Sequence, residues 1–227
     1  MRKTEKMPKV ENIPDLQGNI EGLKRHSFAC GFAPEPNLSQ DDRKFRSWLL
    51  HTVVSATRHY LKARELVHRQ ENADQSRDSG AVFHILDVSE EIEDCIMATF
   101  RACMAIKRLS SCQEALEFSK SQENPIQYLR DIRNQFDHMH SQITAAETGS
   151  GPISIVFGDE GRTIRFRRLS MRIADLSALI DGAYKVVASL HPTFNTSSPK
   201  EPGGPIKLTM SASITVTEAD GTKKVIE

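Results

Sequence analysis

The sequence is short of several things, and each shortage removes a class of protein. No uninterrupted apolar run approaches the ~20 residues that span a bilayer. The start, residues 1–19, lacks the apolar core of a signal peptide. A soluble, cytoplasmic chain with no membrane partner is expected. Net charge is also missing, because 30 Lys+Arg offset 30 Asp+Glu. A nucleic-acid partner must then be met by a local basic patch and not by the field of the whole molecule. The four cysteines, Cys30, Cys95, Cys103 and Cys112, form no C-x-x-C pair, and no histidine stands at zinc-finger spacing from them. There is no P-loop glycine pattern, no dinucleotide fingerprint and no Glu-x-x-His pair on matched helices. No repeat with a period of roughly 20–50 residues is visible. Neither a metal nor any other cofactor is expected.

What remains is ordinary for a globular protein: 227 residues, 38% hydrophobic and 26% charged. That suits one domain of moderate size with tails. Residues 1–37 hold Pro8, Pro14, Pro34 and Pro36 and read as an irregular arm, with a short helix inside "PDLQGNIEGLKRH". Residues 38–190 read as a helical domain, opened by Ser39 as N-cap with Asp41 and Asp42 in the first turn. From residue 40 to about 72, Phe45, Trp48, Leu49, Val53, Ala56, Tyr60, Ala63 and Val67 recur at helical spacing. A second helix is expected from about 80 to 109, along Ile85, Ile92, Cys95, Ile96, Phe100, Cys103 and Ile106. Cys95 and Cys103 fall on its apolar stripe as buried thiols. "SSCQEALEFSKSQEN" adds a short helix. Another, with Asn124 as cap and Pro125 in its first turn, is expected to run to about residue 147. "ISIVFGDEGRTIRFRRL" alternates around "GDEG" as a β-hairpin does, at about 153–168. A last helix spans about 170–190. Residues 191–227 are a linker followed by a hairpin around Asp220 and Gly221. The fold class is mainly α: a bundle of four to five helices with an inserted β-hairpin and a short β tail.

One stretch is crowded with polar groups. "RDIRNQFDHMHSQI", residues 130–143, packs two arginines, an asparagine, two aspartates and two histidines around Ile132, Phe136 and Met139. On a helix Arg130, Asn134 and His138 share a face, and Arg133 lies about 100° round from Asn134. A structural alternative is an exposed ion pair between Arg133 and Asp137, four residues apart, worth a few tenths of a kcal/mol. The segment Arg133-Asn134-Gln135-Phe136-Asp137-His138 resembles the Arg-Asn-x-x-x-His signature of the HEPN superfamily. The bare spacing of arginine and histidine occurs again at Arg46–His51 and Arg77–His84. Asn134 and the position on a late helix set the third apart.

The resemblance covers about residues 40–190 and implies a HEPN-like helical bundle, of the kind found in toxin–antitoxin and phage-defence systems. Active members are metal-independent endoribonucleases that work as homodimers. Carried over, His138 exchanges a proton with the ribose 2′-hydroxyl or the leaving oxygen. Arg133 holds the scissile phosphate, and Asn134 orients the histidine or a phosphate oxygen. RNA is then the substrate, and an antitoxin protein is a partner the resemblance allows. Some members are inactive dimerising adaptors or binding modules, which is the alternative function.

"RTIRFRRLSMR" places Arg162, Arg165, Arg167, Arg168 and Arg172 close together. On a strand, Arg165 and Arg167 face away from Ile164 and Phe166, and with Arg130 they are candidates to grip an RNA backbone. A solvated hairpin face balanced by Asp159 and Glu160 explains them equally well. His138 and His140 do not make a metal pair, since on a helix they point about 200° apart.

Overall fold

The computed structural model describes residues 8–32, 39–75, 85–109, 112–139, 143, 154–190, 214–217 and 223–226. Six helices lead the order among them: α1 (Gln17–Phe32), α2 (Gln40–Gln75), α3 (Ile85–Ile106), α4 (Gln113–Ser121), α5 (Glu123–Asp137) and, after a small sheet, α6 (Ile173–Ser189). The sheet has β1 (Val156–Gly158), β2 (Thr163–Phe166) and β3 (Leu169–Arg172), paired antiparallel in that order. Residues 196–227 form a separate compact unit, an antiparallel hairpin of β4 (Ile214–Thr217) and β5 (Lys223–Ile226). No described helix is long and apolar enough to cross a membrane.

The mainly helical expectation is met. α2 begins as its sequence prescribes: Ser39 Oγ accepts the backbone N–H of Asp42 at 3.1 Å, with Asp41 and Asp42 in the first turn. Its stripe of Leu49, Val53, Ala56, Tyr60, Ala63 and Val67 is buried against α3, whose Ile92, Cys95, Ile96, Cys103 and Ile106 are buried in turn. Trp48 departs from that stripe and is 41% exposed. α6 closes the core, burying Ile173, Leu176, Leu179, Ile180, Ala183, Val186 and Val187 among α1 to α5.

Four expectations need correction. Within the expected arm, residues 8–32 are ordered, and the short helix anticipated there is longer and packed into the core. A 3-10 turn at Val10–Asn12 leads into the 16-residue α1, and Ile13, Leu16, Ile20 and Leu23 lie in the core. Pro14 is compatible with this order because the chain there is held through backbone carbonyls, which proline retains. Tyr60 Oη donates to Pro14 O at 3.0 Å, and Arg64 Nε donates to Ile13 O at 3.0 Å.

The second correction concerns α5, which starts from Gln122 with no side-chain cap from Asn124. Pro125 is still tolerated, because the first-turn N–H groups have no helical partner to lose. α5 also ends at Asp137, with His138 as C-cap at φ −99°, ψ 7°. The periodic Phe136, Met139 and Ile143 argued for continuation. Beyond that break Met139 and Ile143 are again helical, and the rest of the expected run to about residue 147 lies outside the described residues.

The third concerns the hairpin, which forms around the expected turn but is the first half of a three-stranded meander. Gly161 takes φ 94° in that turn, a region glycine enters without a Cβ clash. Leu169–Arg172 is a strand and not the start of the last helix. Met171 is buried opposite Ile164, and the N–H of Ile173 donates to Arg162 O at 2.9 Å before α6 begins. The fourth is Arg167. It sits in the β2–β3 turn at φ 55°, off the strand that carries Arg165.

The C-terminal hairpin pairs Ile214 with Ile226 and Thr217 with Lys223, as its alternation predicts. Arg77, His84 and His140 lie outside the described residues.

Candidate functional site

α5 is amphipathic in a way that fixes what it can present. Ile126, Leu129 and Ile132 are buried, so the helix cannot rotate without pulling them from the core. Arg130, Arg133 and Asn134 are left half-buried on the flanks, and Asp137 and His138 are exposed at the carboxyl end. The N–H of His138 donates to Asn134 O at 3.1 Å, which keeps the histidine within one turn of the amide although the helix ends there.

Arg133 is held from two sides. Its Nη2 lies 2.5 Å from Asp137 Oδ2, and its guanidinium carbon stands 5.5 Å from the centre of the Phe100 ring on α3. The ion pair anticipated between Arg133 and Asp137 is therefore present, with each side chain 38% exposed. Solvent reduces such a pair to a few tenths of a kcal/mol. A guanidinium offers five donors in a planar fork. Among the described residues Nε and Nη1 of Arg133 engage no acceptor. Phe100 and Asp137 thus orient a cation without using up its donors.

Arg130 is committed locally: its Nη1 donates to Gln127 Oε1 at 3.0 Å, and Gln127 Nε2 donates to Asp131 Oδ1 at 2.8 Å. The Gln135 side-chain oxygen is buried with no hydrogen-bond partner among the described residues.

The arginine-bearing sheet packs on this helix through β3 and through a ring contact from β2. Phe136 stacks on Phe166, centroids 4.1 Å apart and planes at 26°. Phe166 is flanked by Arg165, which faces Val156 and Ser170 in the ladder, and by Arg167 in the exposed turn. The sequence alternation was signal enough for Arg165. Nothing in it announced Phe100 or the Phe136–Phe166 stack, since both partners are distant in the chain. Arg46 of the first decoy spacing is buried in α2. Among the described residues no three His, Cys, Asp or Glu side chains stand close enough to share a metal ion.

No family model, curated protein or solved structure matches this chain. What the end of α5 offers is an oriented guanidinium with two donor atoms unengaged among the described residues, a nearby amide and an exposed imidazole. Those are the parts that bind a phosphodiester and move a proton beside it.

Proposed function

We propose that the chain is a HEPN-type, metal-independent endoribonuclease of the toxin or phage-defence kind, acting as a homodimer. The observation that carries this reading is the state of Arg133. It is oriented by Phe100 and Asp137, finds no acceptor for Nε and Nη1 among the described residues, and lies one turn from the exposed His138. In the proposed reaction His138 takes the proton of the ribose 2′-hydroxyl, whose oxygen attacks the adjacent phosphorus. The P–O5′ bond breaks, and the leaving oxygen takes a proton from water, while the protonated His138 returns its proton to solvent before the next turnover. Arg133 binds the non-bridging oxygens as their charge grows, and Asn134 orients the imidazole or a phosphate oxygen. Because the nucleophile belongs to the substrate, the products are a 2′,3′-cyclic phosphate and a 5′-hydroxyl.

Purified protein incubated with diverse RNAs in EDTA should give those two ends. His138→Ala and Arg133→Ala should each lose about 10²–10⁴-fold in rate while staying folded. His68→Ala, an exposed histidine on α2 that contacts Asn72, should leave the rate unchanged. An RNA with a single 2′-deoxy residue at the cut site should resist. A folded, dimeric wild type without activity on any RNA would end the proposal, as would equal activity in His138→Ala.

The second reading, an inactive dimerising adaptor, is favoured by one observation: Asp137 already neutralises Arg133. An inactive dimer in the same assay would select it.

A further inference from the structure

α2 carries a polar face that the α5 site does not use. A groove of about 490 Å³ runs between α2 and α3, lined among others by His51, Ser55, Arg58, His59, Lys62 and Glu91. His51, Ser55, Arg58 and Lys62 follow one another at steps of three or four residues, so they share one helix face. Among the described residues Glu91 is the carboxylate that lines this groove, and it is already engaged: its Oε2 lies 2.7 Å from His59 Nδ1. The same nitrogen stands 3.9 Å from Asp94 Oδ2. Arg58 and Lys62 are exposed, and no carboxylate among the described residues pairs with either. Two lining cations, Arg58 and Lys62, thus face one lining carboxylate, Glu91, with Asp94 at the margin beside His59, which leaves the lining a local excess of positive charge in a protein whose formal net charge is zero.

One turn before His51, on the same face, stands Trp48. Its side chain is 41% exposed, and Phe45 braces the indole at a centroid distance of 6.3 Å with planes at 45°. A flat ring at one end of a cationic helix face provides a stacking platform for a base and counter-charges for the phosphates that follow. Trp48 to Lys62 covers about 21 Å of helix at 1.5 Å per residue, room for several nucleotides.

We propose that this face of α2 binds single-stranded nucleic acid. A base stacks on Trp48, and backbone phosphates lie on His51, Arg58 and Lys62. The proposal shares its ligand class with the reading of α5 but does not require α5 to cut.

The chain has one tryptophan, so Trp48 reports on its own occupancy. Full-length His138→Ala protein, chosen so that the ligand survives, would be titrated with a short oligouridylate while indole fluorescence is followed. Saturable quenching is expected. The double variant Arg58→Glu, Lys62→Glu should weaken binding at least tenfold. Neutralising two fewer phosphates should also reduce the slope of log affinity against log salt by about 1.4. Trp48→Leu, followed by anisotropy of a labelled oligonucleotide, should bind roughly 5- to 150-fold more weakly, the range for one lost stack. Arg58→Lys with Lys62→Arg should restore affinity, and circular dichroism should find every variant helical. Three results would overturn the proposal: no quenching on binding, full affinity in the charge-reversed protein, or heparin bound as tightly with the same dependence on Trp48. Binding by this face without any RNA cleavage would instead sink the α5 reading and leave this one standing.

Discussion

Asp137 stands at the carboxyl end of α5, where the helix dipole disfavours a carboxylate by roughly 0.3–1 kcal/mol. Its ion pair with Arg133 returns about as much and no more, because both groups are 38% exposed. The pair is thus close to neutral for stability, and its consequence is to orient the arginine. The buried thiols behave oppositely, having a stability effect and no visible chemistry. Burial pushes Cys95 and Cys103 up to about 12, and it raises Cys112 as well. Thiolate is the reactive form. Iodoacetamide at about pH 8 should therefore leave Cys95 and Cys103 unlabelled in the native protein and label both in urea, as read by peptide mass spectrometry. The same shifts set a pH dependence. The folded state holds these protons more tightly than the unfolded chain, whose thiols titrate near ~8.5. The stabilisation is complete below that value and is lost as pH rises towards 12. Tyr60, also raised by burial, acts in the same direction. The urea midpoint should fall steadily above about pH 9. A flat profile there would contradict the burial of these groups.

At the scale of elements, the test falls on α1 and on the contact of α4 with α6. Leu23 is fully buried, so Leu23→Ala should cost about 2–5 kcal/mol by urea denaturation, the range for a truncated core leucine. An irregular arm would tolerate that change freely. Gly182, in α6, lies under the ring of Phe118 from α4, and a Cβ there would stand 2.6 Å from Phe118 Cε2. Overpacking of this kind costs about 1–3 kcal/mol, against a gain of about 1 kcal/mol in helix propensity. Gly182→Ala should therefore destabilise modestly. Adding Phe118→Leu, which removes the obstructing ring edge, should reduce the penalty and give a non-additive double-mutant cycle. Much of this level was legible beforehand. The stripes of α2, α3 and α6 follow from apolar spacing, and the hairpin follows from alternation around residues 158–161. Leu169–Arg172 was not legible, because four residues of mixed pattern fit a helix start as well as a strand.

For the whole molecule, the proposed homodimer sets the prediction. One α5 face supplies one arginine, one amide and one imidazole, too few to surround a phosphate. A two-fold pairing through Arg130, Asn134 and His138 would double the set. Light scattering should then give twice the mass of a single chain. Changing Asn134 to a bulky, charged residue (Asn134→Glu) should give a folded monomer without activity. A wild type that stays monomeric at high concentration, with and without RNA, would refute the pairing.

By itself the sequence determined the helical class, the positions of the main apolar stripes and the presence of an arginine, an amide and a histidine within six residues. These are local properties, set by period and by composition along a single segment. Tertiary structure alone decided that Ile13, Leu16, Ile20 and Leu23 of the N-terminal segment belong to the core, and that Arg133 rests between Phe100 and Asp137. It also decided that Trp48 stays at the surface beside a basic groove. Each of those outcomes depends on a contact between residues far apart in the chain or on which side of a helix finds a neighbour. A one-dimensional pattern does not encode such a contact, because burial is settled only when the elements pack.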